Sequence, residues 1–335
     1  MRITYGPWGE TLAELAEAAS AAERAGAEVV WVPELHRSAT VTAAAVAGAV
    51  NGAHVGTAIA LAFARSPMIT ALEALDLDEL TGGRFILGLG TGARRLNENW
   101  HNARWERPLA QLAETVDVIR TIVAKAHTGE PLEYDGAWQR LSVRGFRRPY
   151  EPVRTAIPIY LAAVGPQLTR LTGRIADGWI SHELSSPSYL RERVLPDLTE
   201  GLQRSGRSRK GFDVVVSACC SIDQDPTLAR QRAEGVLAFY ASVATYKDFF
   251  AFHGLAEEHA AVVAAFRAGE RPAVPHRMVE PLVLAGTPDQ VAERLAAYEG
   301  LADTVKLTPA VYGNAPEDIR SNQARIIDLI RGLDL

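Results

Sequence analysis

Short runs of apolar, often β-branched residues alternate along this chain with longer segments whose apolar positions recur at helical spacing. Strands are predicted at residues 2–5, 28–32, 54–60, 84–89, 158–162, 178–181, 212–222 and 304–307. Helical patterning covers residues 11–25, 40–50, 66 to about 80, 108–126, 167–175, 227 to about 268, 288–298 and 316–330. The punctuation agrees. Gly26 closes the first helix, Ser66 and Pro67 open the third as cap and first-turn residue, and Gly82-Gly83 stops it before the fourth strand. Asp135-Gly136 between strand-like flanks signals a hairpin excursion ahead of the fifth strand.

Eight strands separated by helices predict an α/β chain folded as a (β/α)8 TIM barrel. An open doubly wound sheet normally uses fewer strands and reverses their order in the middle. Residues 1–335 read as one barrel domain with two insertions, a hairpin at about 128–150 and a helical one at about 226–280. No internal repeat, low-complexity tract or Pro/Ser/Gly-rich linker interrupts it.

Composition narrows the function classes. The 335 residues are 47% hydrophobic and 22% charged, which fits a globular protein with a large core. A net charge of -5 gives no pull toward nucleic acid or anionic lipid, so the expected partner is a small-molecule substrate. Arginine supplies nearly all the cations, with lysine only at Lys125, Lys210, Lys247 and Lys306. The opening MRITYG has no charged and apolar leader pattern, and the longest apolar stretch, near 42–50, is too short for a bilayer. Cys219 and Cys220 are adjacent in a predicted strand and point to opposite faces, so no disulfide is expected. A cytoplasmic location is the expectation.

In a barrel of this kind the chemistry gathers at the carboxyl ends of the strands. After the second strand come Glu34 and His36, a carboxylate and an imidazole able to move a proton or hold a polar ring edge; an ordinary polar loop would look the same. The third strand carries Gly56, Thr57, Ala58 and Ile59, small enough to admit a flat ring or to pack a tight core. The fourth delivers Gly90-Thr91-Gly92, with Asn97, Glu98, Trp100 and His101 in a long loop beyond. The fifth runs through Ala162-Ala163-Val164-Gly165 into a helix whose amino end can hold an anion. A Rossmann reading of the glycines fails, because they follow the fourth strand and no helix is predicted directly after them. His182-Glu183 lacks the second histidine of a zincin helix and no Cys/His cluster has zinc spacing, so no metal is expected.

Val30-Trp31-Val32-Pro33-Glu34, Val55 to Ile59, Thr81-Gly82-Gly83-Arg84-Phe85-Ile86-Leu87-Gly88-Leu89-Gly90, Ala176-Asp177-Gly178-Trp179 and Gly286-Thr287-Pro288-Asp289-Gln290-Val291 resemble the bacterial luciferase-like flavin and deazaflavin oxidoreductases. The resemblance extends over nearly the whole chain, and it is strongest to the branch that uses coenzyme F420, similar to methylenetetrahydromethanopterin reductase. It implies a luciferase-like barrel and a non-prolyl cis peptide at Ala58-Ile59 behind the deazaflavin. It further implies cofactor contacts from Thr57, Gly90, Thr91, Gly92 and Asn97, and a phosphate loop at Ala162, Ala163, Val164 and Gly165. Glu34 matches the family's acid after the second strand; where deazaflavin dehydrogenases often place a histidine next, this chain has Leu35, and His36 follows one position later. By the same resemblance a homodimer is expected. The function expected is F420-dependent hydride transfer to or from an organic substrate, with Glu34 and His36 in the acid-base role. Alternatives are an FMNH2-dependent two-component monooxygenase, with FMN in place of F420, and a non-catalytic cofactor-binding barrel.

Overall fold

A computed structural model describes residues 1–270 and 272–333. Arg271, inside the expected helical insertion, and Asp334 and Leu335, at the end of the expected domain, lie outside the described residues. The first half contains strands β1 (Arg2–Tyr5), β2 (Val29–Val32), β3 (His54–Thr57), β4 (Ala60–Leu61) and β5 (Phe85–Gly90). Between and after them lie helices α1 (Leu12–Arg24), α2 (Ala39–Ala47), α3 (Pro67–Leu80) and α4 (Pro108–Lys125). The hairpin β6 (Leu132–Asp135) and β7 (Arg140–Val143) follows, then β8 (Ile159–Ala162), α5 (Pro166–Ile175) and β9 (Gly178–Ile180). Next come α6 (Pro187–Tyr189), α7 (Leu195–Arg204) and β10 (Asp213–Ile222). The remainder is α8 (Pro226–Ala241), α9 (Lys247–Phe252), α10 (Ala256–Ala268), α11 (His276–Leu282), β11 (Leu284–Gly286), α12 (Pro288–Ala296), β12 (Thr304–Pro309) and α13 (Pro316–Gly332).

The chain groups into two compact units. One comprises residues 29–180 and 197–213, and its parallel strands pair in the order β2, β3, β5, β8, β9, with β4 beside β5. Every residue of β2 and β5 is buried, as strands covered on both faces require, which is why they read as continuous apolar runs. Ser66 starts α3 by accepting the Ile69 N–H at 3.2 Å, with Pro67 in the first turn where its missing N–H costs nothing. The other unit comprises residues 1–28, 181–196 and 214–335, with parallel strands in the order β11, β10, β12, β1. Its apolar face packs on helices: Val305 and Leu307 are fully buried, and the Tyr5 hydroxyl bonds Gln323 of α13 at 3.0 Å. Cys219 and Cys220 are free thiols.

Local outcomes differ from the sequence pattern in several places: helices α6 and α7 fill a stretch where none was expected, and the helical pattern over 227 to about 268 divides into α8, α9 and α10. The run expected as one strand over 54–60 is broken, with β3 ending at Thr57, a cis peptide at Ala58-Ile59, and β4 resuming at Ala60. The segment expected as loop after Gly92 is a short helix with a π turn over Leu96–Trp100. Polar bonds rather than apolar periodicity hold it, which is why hydropathy missed it: Asn97 Nδ2 donates to the carbonyls of Thr91 and Ala93, and Arg94 pairs with Glu98 at 2.9 Å. Strand β11 spans only three residues, too few to show a period, and forms by pairing with the end of β10.

Candidate active site

All the site residues expected from sequence fall in the unit of residues 29–180 and 197–213. At the end of β2, Glu34 is tied down from several sides. Its backbone N–H donates to the Ile59 carbonyl at 3.1 Å. Its carboxylate accepts the Leu61 N–H at 2.8 Å, the Ala39 N–H at 3.4 Å, and both terminal nitrogens of Arg65, one of them at 2.8 Å. Burial pushes this carboxyl up, but the Arg65 hydrogen bonds and charge together with the two backbone donors outweigh it and hold the group below its ordinary 4.5. Both carboxylate oxygens are therefore engaged. His36 is exposed, and among the described residues its ring has no hydrogen-bond or ion-pair partner.

Beyond the ladder that pairs Val55 and Gly56 of β3 with Phe85 and Ile86 of β5, one side chain links the two strands. Buried Thr57 donates its hydroxyl to the Gly88 carbonyl at 2.7 Å and accepts the Gly88 N–H at 2.9 Å. A Cβ on Gly88 would sit 1.8 Å from the Thr57 carbonyl oxygen, so only glycine permits this approach. Two residues on, a Cβ on Gly90 would lie 2.9 Å from the Ile59 side chain and 3.4 Å from the Ala162 Cβ. Ile59, Gly90 and Ala162 thus converge from the ends of three elements into a shelf whose one sizeable side chain, that of Ile59, lies across Gly90, and which is half-open at Ala58, Ile59 and Ala162.

Beside the shelf, Asn97 is fully buried. Its Nδ2 donates to Thr91 O at 2.7 Å and Ala93 O at 3.0 Å, fixing the Gly90-Thr91-Gly92 turn, while its Oδ1 has no partner. A buried acceptor without a donor is costly, so Oδ1 is a place where a bound group could donate.

At the end of β8 the chain turns through Gly165 at φ +84° and ψ 154°, a conformation essentially reserved for glycine. Helix α5 then starts with no side-chain cap and no acidic residue in its first turn. Among the described residues the N–H groups of Val164, Gly165 and Gln167 have no acceptor. Free amides plus the positive end of the helix dipole suit an anion such as phosphate. This corner adjoins the shelf through Ala162. The residues fit a flat tricycle with a phosphate tail: a shelf of small residues and Ile59, an orphaned acceptor at its side, and an anion cradle that follows Ala162 along the chain.

A cavity of about 680 Å3 lies elsewhere in this unit, at the amino ends of β8 and β9, walled by Leu87, Ile119, Ile159, Tyr160, Arg174 and Asp177. None of the shelf residues lines it. Sequence reading missed the role of Arg65. The signal available was a basic residue in the loop after one strand and an acid at the end of its neighbour.

The profile of the luciferase-like monooxygenase family matches residues 2–304. An uncharacterized protein of Mycobacterium tuberculosis is 32% identical over 303 residues, covering 88% of this chain and 89% of that one. A second M. tuberculosis protein, provisionally named a coenzyme F420-dependent oxidoreductase, is 30% identical over 95% of this chain and 96% of its own length. The 5,10-methylenetetrahydromethanopterin reductase of Archaeoglobus fulgidus is 28% identical over 82% of each chain. Among solved structures, the F420-dependent tetrahydromethanopterin reductase of Methanopyrus kandleri superposes with TM-score 0.83 at 22% identity, covering 99% of this chain and 98% of that one. The oxygenating constituent of 3,6-diketocamphane monooxygenase from Pseudomonas putida, in complex with FMN, superposes with TM-score 0.71 at 16% identity, covering 100% and 99%. The fold is the (β/α)8 TIM barrel with insertions, as the alternation in the sequence predicts.

Proposed function

This chain belongs to the luciferase-like monooxygenase family, and we propose that within it the protein is a coenzyme F420-dependent oxidoreductase acting on a small organic substrate. The observation that carries this reading is the convergence of Ile59, Gly90 and Ala162 into a half-open shelf beside an uncapped helix end. The name of the M. tuberculosis relative at 30% identity favours the deazaflavin over FMN. When bound, the deazaflavin supplies hydride transfer at its carbon 5, chemistry no side chain provides.

The protein's part is binding, orientation and proton handling. Ala58, Ile59 and Gly90 would carry the ring, Thr57 holds the ends of β3 and β5 together, and Asn97 sets the Thr91-Gly92 turn and would offer Oδ1 as an acceptor. The loop Ala162, Ala163, Val164 and Gly165 would hold the phosphate, with the free amides of Val164, Gly165 and Gln167 as donors. Glu34, with both oxygens committed to Arg65 and backbone donors, fixes the end of β2 against Ile59 and Leu61 rather than exchanging a proton. The proton that accompanies hydride transfer falls to His36, the uncommitted member of the expected pair.

Titration of the purified protein with F420 and separately with FMN, followed by fluorescence, tests the proposal. Saturable F420 binding, with F420 reduced or oxidised in a screen of alcohols, ketones and imines, is expected. Binding of FMN without F420 would replace it by the monooxygenase reading, and affinity for neither would leave a barrel without cofactor chemistry.

A further inference from the structure

A second group of polar side chains lies in the unit of residues 1–28, 181–196 and 214–335. In its sheet Thr4 of β1 pairs in register with Lys306 of β12, and Lys306 with Ser217 of β10. In-register residues of neighbouring parallel strands share a face, and successive residues alternate. Val305, Leu307 and Tyr5 take the face toward α13, so Lys306 and Ser217 stand on the other.

Lys306 is only 5% exposed. Among the described residues no carboxylate lies within 4.0 Å of its nitrogen and no acceptor takes a hydrogen bond from it. Burial pushes its pKa down, opposed by the charge of Glu183. Ser217 Oγ beside it in register is buried with no partner. A buried, unpaired ammonium costs several kcal/mol, and a fold gains nothing by keeping one. The other three lysines are exposed, in a chain that elsewhere uses arginine.

Glu183 lies on the segment beside β10, next to the Leu184–Ala218 bridge. Its backbone is pinned, with its N–H on the Tyr240 hydroxyl at 3.4 Å and its carbonyl accepting the Cys219 N–H at 2.9 Å. Its half-buried carboxylate has no hydrogen-bond or ion-pair partner among the described residues. That charge acts on Lys306 and on the hydroxyls of Tyr240, Tyr246 and Tyr312 alike, raising all three phenols after the larger effect of burial. Cys219 lies two residues along β10 from Ser217, the in-register neighbour of Lys306, and the Tyr240 and Tyr246 rings pack on each other at 4.9 Å and both on His182. An unpaired cation and an unpaired anion therefore sit beside one aromatic cluster with their hydrogen-bonding capacity unspent.

We propose that Lys306 and Glu183 are the two poles of a binding site for a small hydroxy-carbonyl compound, a hydroxy acid or hydroxy ketone. Lys306 donates to the carbonyl or carboxylate oxygen, Glu183 accepts from the hydroxyl, and Tyr240, Tyr246 and Tyr312 wall the ligand. The inference is independent of which cofactor the glycine shelf holds.

Thermal unfolding of the whole chain, with 3-hydroxybutyrate as probe and butyrate and 1,3-butanediol as controls lacking one group each, tests it. Without ligand, Lys306→Met should unfold at a higher temperature than the parent, since an unpaired buried charge is removed; a partnered structural lysine would give the opposite shift. 3-Hydroxybutyrate should raise the parent's midpoint saturably and bind about tenfold more weakly, or worse, to Lys306→Met and to Glu183→Leu, which removes the acceptor. A lower midpoint for Lys306→Met, no saturable effect of 3-hydroxybutyrate, or equal binding by either variant or either control would overturn the proposal.

Discussion

Arg65 closes on Glu34 with two nitrogens against two oxygens, joining the loop that follows the broken third strand to the end of the second. The pair is largely out of solvent, with side-chain exposures of 18% and 7%, so its geometry rather than bulk screening governs it. Removing the cation leaves a buried carboxylate with only backbone donors.

Arg65→Met should therefore cost about 3 kcal/mol of stability in urea unfolding. Because the folded-state pKa of Glu34 is depressed, the stability the pair confers is fully present above the ordinary value of 4.5 and is lost as pH falls through the lower folded value. The parent should lose stability across that acid range more steeply than the variant. Parallel pH profiles of the two would contradict the assignment.

Two neighbouring glycines should respond differently to a single methyl. At Gly88 the new Cβ meets the Thr57 carbonyl oxygen at 1.8 Å, and since backbone cannot step aside, Gly88→Ala should abolish soluble expression. At Gly90 it meets the movable end of Ile59 at 2.9 Å, so Gly90→Ala should fold while raising the shelf. F420 affinity should fall by about tenfold, equivalent to roughly 1.4 kcal/mol of overpacking. Unchanged affinity would remove Gly90 from the shelf.

Gly165 has open space around its missing Cβ, with no atom within 4 Å, so any effect of Gly165→Ala comes from backbone conformation. A loss of about 1–3 kcal/mol is expected from forcing a Cβ into that region. If the corner holds phosphate, F420 should lose more affinity than a deazaflavin lacking its phosphate-bearing tail. Equal losses would argue against the phosphate role.

His36→Asn should reduce turnover by about 100-fold, the lower end of general acid-base contributions, and leave F420 affinity unchanged. Full turnover in the variant would move the proton to another group.

Much of the architecture was written in local pattern. The eight barrel strands appear where apolar β-branched runs predict them, and Ser66-Pro67 opens α3 as expected. Gly90, Ala162 and Gly165 were legible as corners because glycine and alanine at strand ends are punctuation that one chain displays unaided. What they form together was not. The distances from Gly90 to Ile59 and Ala162 depend on three segments far apart in sequence, brought together by strand pairing.

The same division explains the charged residues. Sequence placed Glu34 at a strand end and marked it as chemically able, but a carboxylate's role depends on what neutralises it, and Arg65 lies 31 positions away. In sequence Lys306 stood out only as one of four lysines and Glu183 only as half of a rejected metal motif, since a lysine in an apolar run and an acid in a loop otherwise look ordinary. Hydrophobic periodicity is a property of neighbours along the chain, so the sequence alone determined the barrel strands, most of the long helices and the glycine corners. Burial and pairing of charge are properties of neighbours in space, and only the tertiary structure decided which polar groups are spent and which stay free for a ligand.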